Sequence, residues 1–362
     1  MDFLWKVVSE ILRIFIISRL QRSSAIDLHR RFIKSSLRMW RHRVCVKQEL
    51  CFCRFQEIDR RASELQESFM KRRFSKKSHL YCLCKDTPDT IIYLMNNHSR
   101  FDLSTYNIMF EKPQRAKDPL FNIKLVPFYF FITQIIKPGI IVELGVHSGN
   151  TLAAFCQALK FLGLTAQCFG VDTWEGDIHT GSYDESVYTE LLSYIEKDYT
   201  DSARLLRMTF DNALEHFSDR SIDLLHIDGT HTYEAVSHDF KSWLPKMSSK
   251  GVVMLHDTKQ KIKNYGVWKL WEEVSGCYPS WEIDFESGLG ILAVGKEVNE
   301  ECITFLSEAR KNSFYREFFL IIGERLELEN NARILEGIHQ SRGWRALSLY
   351  YRIKGFFMGT HP

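Results

Sequence analysis

From residue 139 to residue 296 the apolar positions fall into short uninterrupted runs, most of them followed by a stretch spaced for a helix. The runs are IIVELGV, AQCFGVDTW, SARLLRMTF, IDLLHID and GVVMLHD, with SWEIDFE and GLGILAVG closing the series. Runs this short, rich in Val and Ile and bounded by glycine or charge, predict buried strands. Between them SGNTLAAFCQALKFLG, DNALEHF, TYEAVSHDFKSWLPKM and GVWKLWEEVSG predict helices. The alternation predicts an α/β fold: a doubly wound, mainly parallel seven-stranded sheet whose last two strands form an antiparallel pair. In that architecture ligands bind outside the carboxyl ends of the strands.

The flanks have a different texture. Residues 1–80 carry no proline and no glycine and read as helical throughout. Cys51, Phe55, Ile58, Ala62, Leu65 and Phe69 recur at alternating spacings of four and three, a short heptad seam. It suits either a homodimer contact or a helix hairpin within one chain. The prolines Pro88, Pro113, Pro119, Pro127 and Pro138 mark 86–138 as a connecting and covering segment without a usable motif. The chain thus divides into a helical extension (1–85), a connecting segment (86–138), the α/β domain (139–296) and a second helical extension (297–362).

Charge sharpens the division. Residues 1–85 hold 20 Lys and Arg against 8 Asp and Glu, a net of +12; the remainder holds 28 against 37, a net of −9. Near the N-terminus Phe3, Leu4, Val7, Val8, Ile11, Leu12 and Phe15 recur at helical spacing, with Arg19, Arg22, Arg30 and Arg31 following. Such a helix lies on an anionic membrane face or packs on the protein's own body. Lys6, Glu10 and Arg13 interrupt it, so no run reaches the roughly 20 residues that span a bilayer. The nine cysteines are odd in number and scattered, the usage of a reducing, cytoplasmic compartment. Cys51–Cys53 and Cys82–Cys84 are spaced too closely for a structural zinc site.

The turn after the first strand runs Glu143, Gly145, His147, Gly149, Thr151 at alternate positions. Its glycines allow a tight turn and close approach of a ligand to the backbone. A dinucleotide fingerprint and a phosphate loop are both excluded, because His147 and Asn150 replace glycines and no Gly-Lys-Ser/Thr follows. Asp172 ends the second strand, where a carboxylate binds a ribose diol or serves as a turn residue. The fourth and fifth strands end on Asp228 and on His256-Asp257, with His231 three residues past Asp228. Neighbouring strands lie about 4.8 Å apart, so these groups can converge on one hydroxyl or one ion. His226 reads as structural, and His238 and Asp239 as solvated or packed helix positions. The polar segment EGDIHTGSYDESVY offers Trp174, His179 and Tyr183 to an acceptor as a lid, or forms a surface loop.

The series VELGVHSGNT, GVDTWEGD, IDLLHIDGTHTYEAVSHDFKSWLPKMSSKGVVMLHDT and GVWKLWEEV resembles class I S-adenosylmethionine-dependent methyltransferases. Within them it is similar to the metal-dependent sugar O-methyltransferases found with glycosyltransferases. The resemblance covers about 135–296 and implies the Rossmann-like methyltransferase fold. It implies S-adenosylmethionine held by Glu143, Gly145, His147, Gly149, Thr151, Asp172 and Asp211. It also implies His231 as general base beside Asp228, and Mg2+ or another divalent cation at Asp228, His256 and Asp257. His256 departs from the oxygen ligand more usual there, which favours manganese, iron or zinc over magnesium. The expected acceptor is a sugar hydroxyl of a glycan, glycolipid or glycosylated metabolite, not nucleic acid, with Trp174, His179, Tyr183 and Tyr233 on its side of the site. A non-catalytic S-adenosylmethionine-binding scaffold and a hydroxylase-like relative using iron are the competing readings.

Overall fold

The computed structural model describes residues 101–117, 122–178, 180–262, 264–341 and 343–344. The basic extension, its heptad seam, the paired cysteines, the membrane and dimer expectations attached to them, and His179 all lie outside these residues.

Seven strands form one sheet, in the order β5-β2-β1-β6-β7-β9-β8. They are β1 (Ile140–Leu144), β2 (Gln167–Asp172), β5 (Ala203–Arg207), β6 (Ile222–Ile227), β7 (Met247–His256), β8 (Ser280–Ile283) and β9 (Leu289–Ala293). β1, β2, β5, β6 and β7 pair in parallel, and β9 runs antiparallel between β7 and β8. This is the doubly wound, mainly parallel sheet that the hydrophobic runs predict. The strand order reverses beside β1, which opens a crevice at the carboxyl ends of β1, β2 and β6.

The fifth strand starts earlier than its apolar run. Met247 pairs with Ile222 across a register irregularity, so MSSK joins GVVMLH although Ser249 and Lys250 are exposed. Backbone pairing, not side-chain burial, makes that extension.

Helices cover both faces. One face carries α1 (Val126–Ile136), α2 (Asn150–Phe161), α3 (Glu185–Asp198), α7 (Glu300–Lys311) and α8 (Ser313–Gln340). The other carries the short α4 (Phe210–Ala213), α5 (Tyr233–Trp243) and α6 (Val267–Val274). The segment read as connecting therefore holds a core element. VPFYFFITQII is apolar nearly all round, as a fully buried helix must be, and Pro127 sits in its first turn, where no N–H partner is lost. Phe128, Phe130 and Phe131 are fully buried, each contributing about 1.5–3 kcal/mol. Phe131 meets Phe305 of α7 at 4.6 Å and Phe319 of α8 at 5.2 Å between ring centroids. Asn299 caps α7 by accepting from Cys302 N, and its own amide donates to Ile135 O at 2.8 Å, fixing α7 to the end of α1. No helix among the described residues is long and apolar enough to cross a membrane.

Candidate active site

The glycine turn connects β1 to α2. Gly145 has φ +87° and Gly149 φ +76°, and a Cβ at Gly145 would collide with the carbonyl of Asp228. Only glycine permits this approach of the β1 and β6 ends. Asp228 N donates to Leu144 O at 2.8 Å, so Glu143 and Asp228 lie at the same end of the sheet.

Asp172 closes the turn from below. One carboxylate oxygen accepts from Val146 N at 2.9 Å and His147 N at 3.0 Å, and the other from Trp174 N at 2.8 Å. A carboxylate accepts about four hydrogen bonds, so room for one ribose hydroxyl remains beside these three. Asp172 is thus a turn residue at the expected ribose position.

Other expected cofactor residues are placed differently. Glu143 is buried on the α1 side of the sheet, with its Oε1 3.2 Å from Nδ1 of the equally buried His226. It does not open towards a ligand ammonium. Burial, with Asp228 and Asp172 nearby, pushes its carboxyl well up, while burial brings His226 down to about 4. Both are therefore held neutral, which is how an acid and an imidazole tolerate a dry site. Thr151 is buried in the first turn of α2. Asp211 is exposed, and its Oδ1 lies 2.7 Å from His238 Nε2 on α5. Its carboxylate is engaged with His238 on the surface. His147 is half-buried with φ +49°, its ring 4.6 Å from Tyr183.

At the ends of β6 and β7 the structure gathers Asp228, His231 and Asp257, whose ligand atoms all lie within 4.8 Å of one another. His231 Nε2 is 3.3 Å from Asp257 Oδ2, and the ring stacks on Tyr265 at 5.0 Å and 22°. The Gly266 N–H donates to His231 O at 2.8 Å, tying the loop after β7 to the loop after β6. Asp257 itself takes φ +65° as the chain leaves β7.

His256 does not take the ligand place expected of it. Strand alternation sends it inward with Met254, to the face of Glu143 and His226, and only 6% of it is exposed. There its Nδ1 lies 3.0 Å from Asp228 Oδ1 and 3.3 Å from Asp257 Oδ1. Burial works against its charge, but the two carboxylates outweigh burial and hold the imidazole up at about 9. Burial would likewise raise Asp228, and His256 overrides it, down to about 2. Burial pushes Asp257 up. His256 thus holds Asp228 ionised. His231, not His256, completes the open cluster.

Two acceptor residues also move. Trp174 is 2% exposed, its Nε1–H donates to His147 O at 2.9 Å, and its ring packs on Tyr188. It is a floor of the turn, with no open face for a sugar. The Tyr233 hydroxyl donates to Glu273 of α6, at 2.9 and 3.0 Å from its two carboxylate oxygens. Tyr183, at the end of the small hairpin β3 (Gly176–Asp177) and β4 (Gly181–Ser182), stays half-buried over His147.

Residues 142–258, from within β1 to just past the end of β7, match the family model described as a methyltransferase domain. An uncharacterized protein of Sinorhizobium fredii, y4gI, is 36% identical over 226 residues, covering 62% of this chain and 25% of that protein. The chain thus spans about a quarter of the length of that relative. Among solved structures, a Podospora anserina methyltransferase, PaMTH1, bound to S-adenosylhomocysteine is 13% identical with TM-score 0.38, covering 61% of this chain and 94% of that one. A methyltransferase from Geobacter sulfurreducens is 11% identical with TM-score 0.37, covering 59% and 92%.

Proposed function

We propose that this chain is an S-adenosylmethionine-dependent O-methyltransferase acting on a sugar hydroxyl, with His231 as general base. The observation that carries the reading is the convergence of Asp228, His231 and Asp257 next to the glycine turn, within a methyltransferase domain. The turn and Asp172 receive the cofactor. Its sulfonium is cationic, and the charged Asp228 at the β6 end is a fitting electrostatic neighbour.

A sugar hydroxyl is a weak nucleophile near neutral pH and must lose its proton as its oxygen attacks the methyl carbon. The O–C bond forms as the C–S bond breaks, and the proton passes to imidazole. Asp257, accepting from Nε2–H, holds the His231 tautomer whose Nδ1 carries the lone pair. Tyr265, stacked on His231, and Tyr183, packed on His147, are aromatic rings that suit the C–H face of a pyranose.

The acid cluster fits a divalent cation in number and spacing of donors. Neutral imidazole has one lone pair, so His231 serves as ligand or as base and not both. In the base role, Asp228 and Asp257 would hold the ion, which when bound lowers the hydroxyl pKa and orients it. The test is transfer of a tritiated methyl group from S-adenosylmethionine to a panel of methyl glycosides. Labelled glycoside from wild type and not from His231→Ala supports the reading. Full activity in His231→Ala overturns the base, and no labelled glycoside from wild type overturns the sugar acceptor.

A further inference from the structure

The glycine turn is held from outside by side chains of separate segments. Asp172 takes the amides of Val146 and His147, and Trp174 takes the carbonyl of His147. The next carbonyl, of Ser148, accepts from Arg115 Nε at 2.9 Å. Arg115 comes from the segment before α1, far from the motifs of the α/β domain, yet its side chain is only 5% exposed. Its guanidinium lies over the Tyr194 ring at 4.9 Å and reaches Glu190 of α3 at 3.4 Å.

The neighbouring residues fasten the same segment to α2. Gln114 N donates to Gln157 Oε1, and Gln157 Nε2 donates back to Lys112 O, both at 2.8 Å. Lys117 N donates to Asn150 Oδ1, and Asn150 Nδ2 returns a bond to Lys117 O, both at 2.9 Å. Two reciprocal pairs fix this strap along α2, at Asn150 and at Gln157. Arg115 sits between them, aimed at the turn. Glu190 takes the two terminal nitrogens of this buried guanidinium, and the remaining nitrogen, Nε, gives its N–H to the Ser148 carbonyl, a bond whose loss would leave a buried donor unpaired.

We propose that Arg115 is a positioning residue for the cofactor: it locks the Ser148 peptide, so that the turn between Gly145 and Gly149 is already shaped before S-adenosylmethionine arrives. Preorganisation of this kind is read as affinity, because binding no longer has to order the loop. The inference rests on the turn being the cofactor pocket.

The test pairs amide hydrogen exchange with titration of S-adenosylhomocysteine, both on the full chain. Arg115→Gln and Arg115→Met are the variants, with Glu190→Gln as the control that removes the Glu190 ion pair and keeps the Ser148 bond. In both Arg115 variants, amides between 145 and 153 should exchange about tenfold faster, while those of β6 and β7 keep the wild-type rate. The Kd for S-adenosylhomocysteine should rise about tenfold or more, and Glu190→Gln should match wild type. Unchanged exchange between 145 and 153, or faster exchange spread evenly over the sheet, overturns the assignment. So does wild-type affinity in both Arg115 variants. A wild-type chain that binds no S-adenosylhomocysteine overturns the cofactor reading instead, and the exchange data then decide whether Arg115 fixes the turn.

Discussion

His256 Nδ1 stands 3.0 Å from Asp228 Oδ1, and 3.3 Å from Asp257 Oδ1, so one buried imidazole bridges the two carboxylates at the ends of β6 and β7. Removing it leaves Asp228 without its main counter-charge. His256→Gln should lower stability by about 3–5 kcal/mol, measured by urea unfolding. A loss under about 1 kcal/mol would mean that the bridge does not hold the strand ends.

The same bridge sets the metal response. His256→Asp replaces the internal cation by a third carboxylate beside Asp228 and Asp257. Manganese should then raise the melting temperature of the variant more than that of wild type, because anionic oxygen donors gain and a competing positive charge is gone. An equal shift in both proteins would count against His256 as a positive charge that competes with the cation.

His231 separates two chemistries. As the base, its change to Ala should lower kcat by about 10²–10⁴-fold and leave the affinity for S-adenosylhomocysteine at the wild-type value. As a ligand, its loss should instead weaken manganese binding and make the remaining activity more sensitive to EDTA. Steady-state kinetics with and without EDTA distinguish the two.

Much of this was legible in the chain. The runs IIVELGV, AQCFGVD, IDLLHID and GVVMLHD are β1, β2, β6 and β7, because strands buried on both faces are nearly all apolar until the last residue. Their terminal acids mark the crevice for the same reason. The partners of those acids were not legible. That Glu143 meets His226, and that His256 turns back towards Asp228, depends on which strands adjoin and on which face each residue points to. The alternation could have warned of it: His226 and His256 lie on one face, two places beyond Leu224 and Met254. Trp174 was misread because a polar, glycine-rich surrounding signals a loop, whereas its indole folds under the turn. Arg115 carried no signal, since a single arginine among prolines says nothing about a carbonyl 33 residues away.

Asp239, buried on α5, gives a pH signature. Burial pushes its carboxyl up to about 7, against His238 and with Asp211 adding to the rise. The folded chain therefore keeps this proton where the unfolded chain has released it. The stability it contributes is present below the unfolded value of 3.8 and is lost as pH rises towards 7. Asp239→Asn removes that loss. The variant should match wild type near pH 4 and exceed it by about 2–4 kcal/mol at pH 8 in urea unfolding. An equal difference at both pH values would show that the carboxyl does not titrate between them.

The account depends most on one crevice serving both the glycine turn and the acid cluster, and calorimetric titration of S-adenosylhomocysteine tests it directly. Wild type should bind one equivalent with micromolar Kd, and Asp172→Ala, which releases the amides of Val146 and His147, should lose that binding while remaining folded. No heat from wild type, or undiminished affinity in Asp172→Ala, would contradict it.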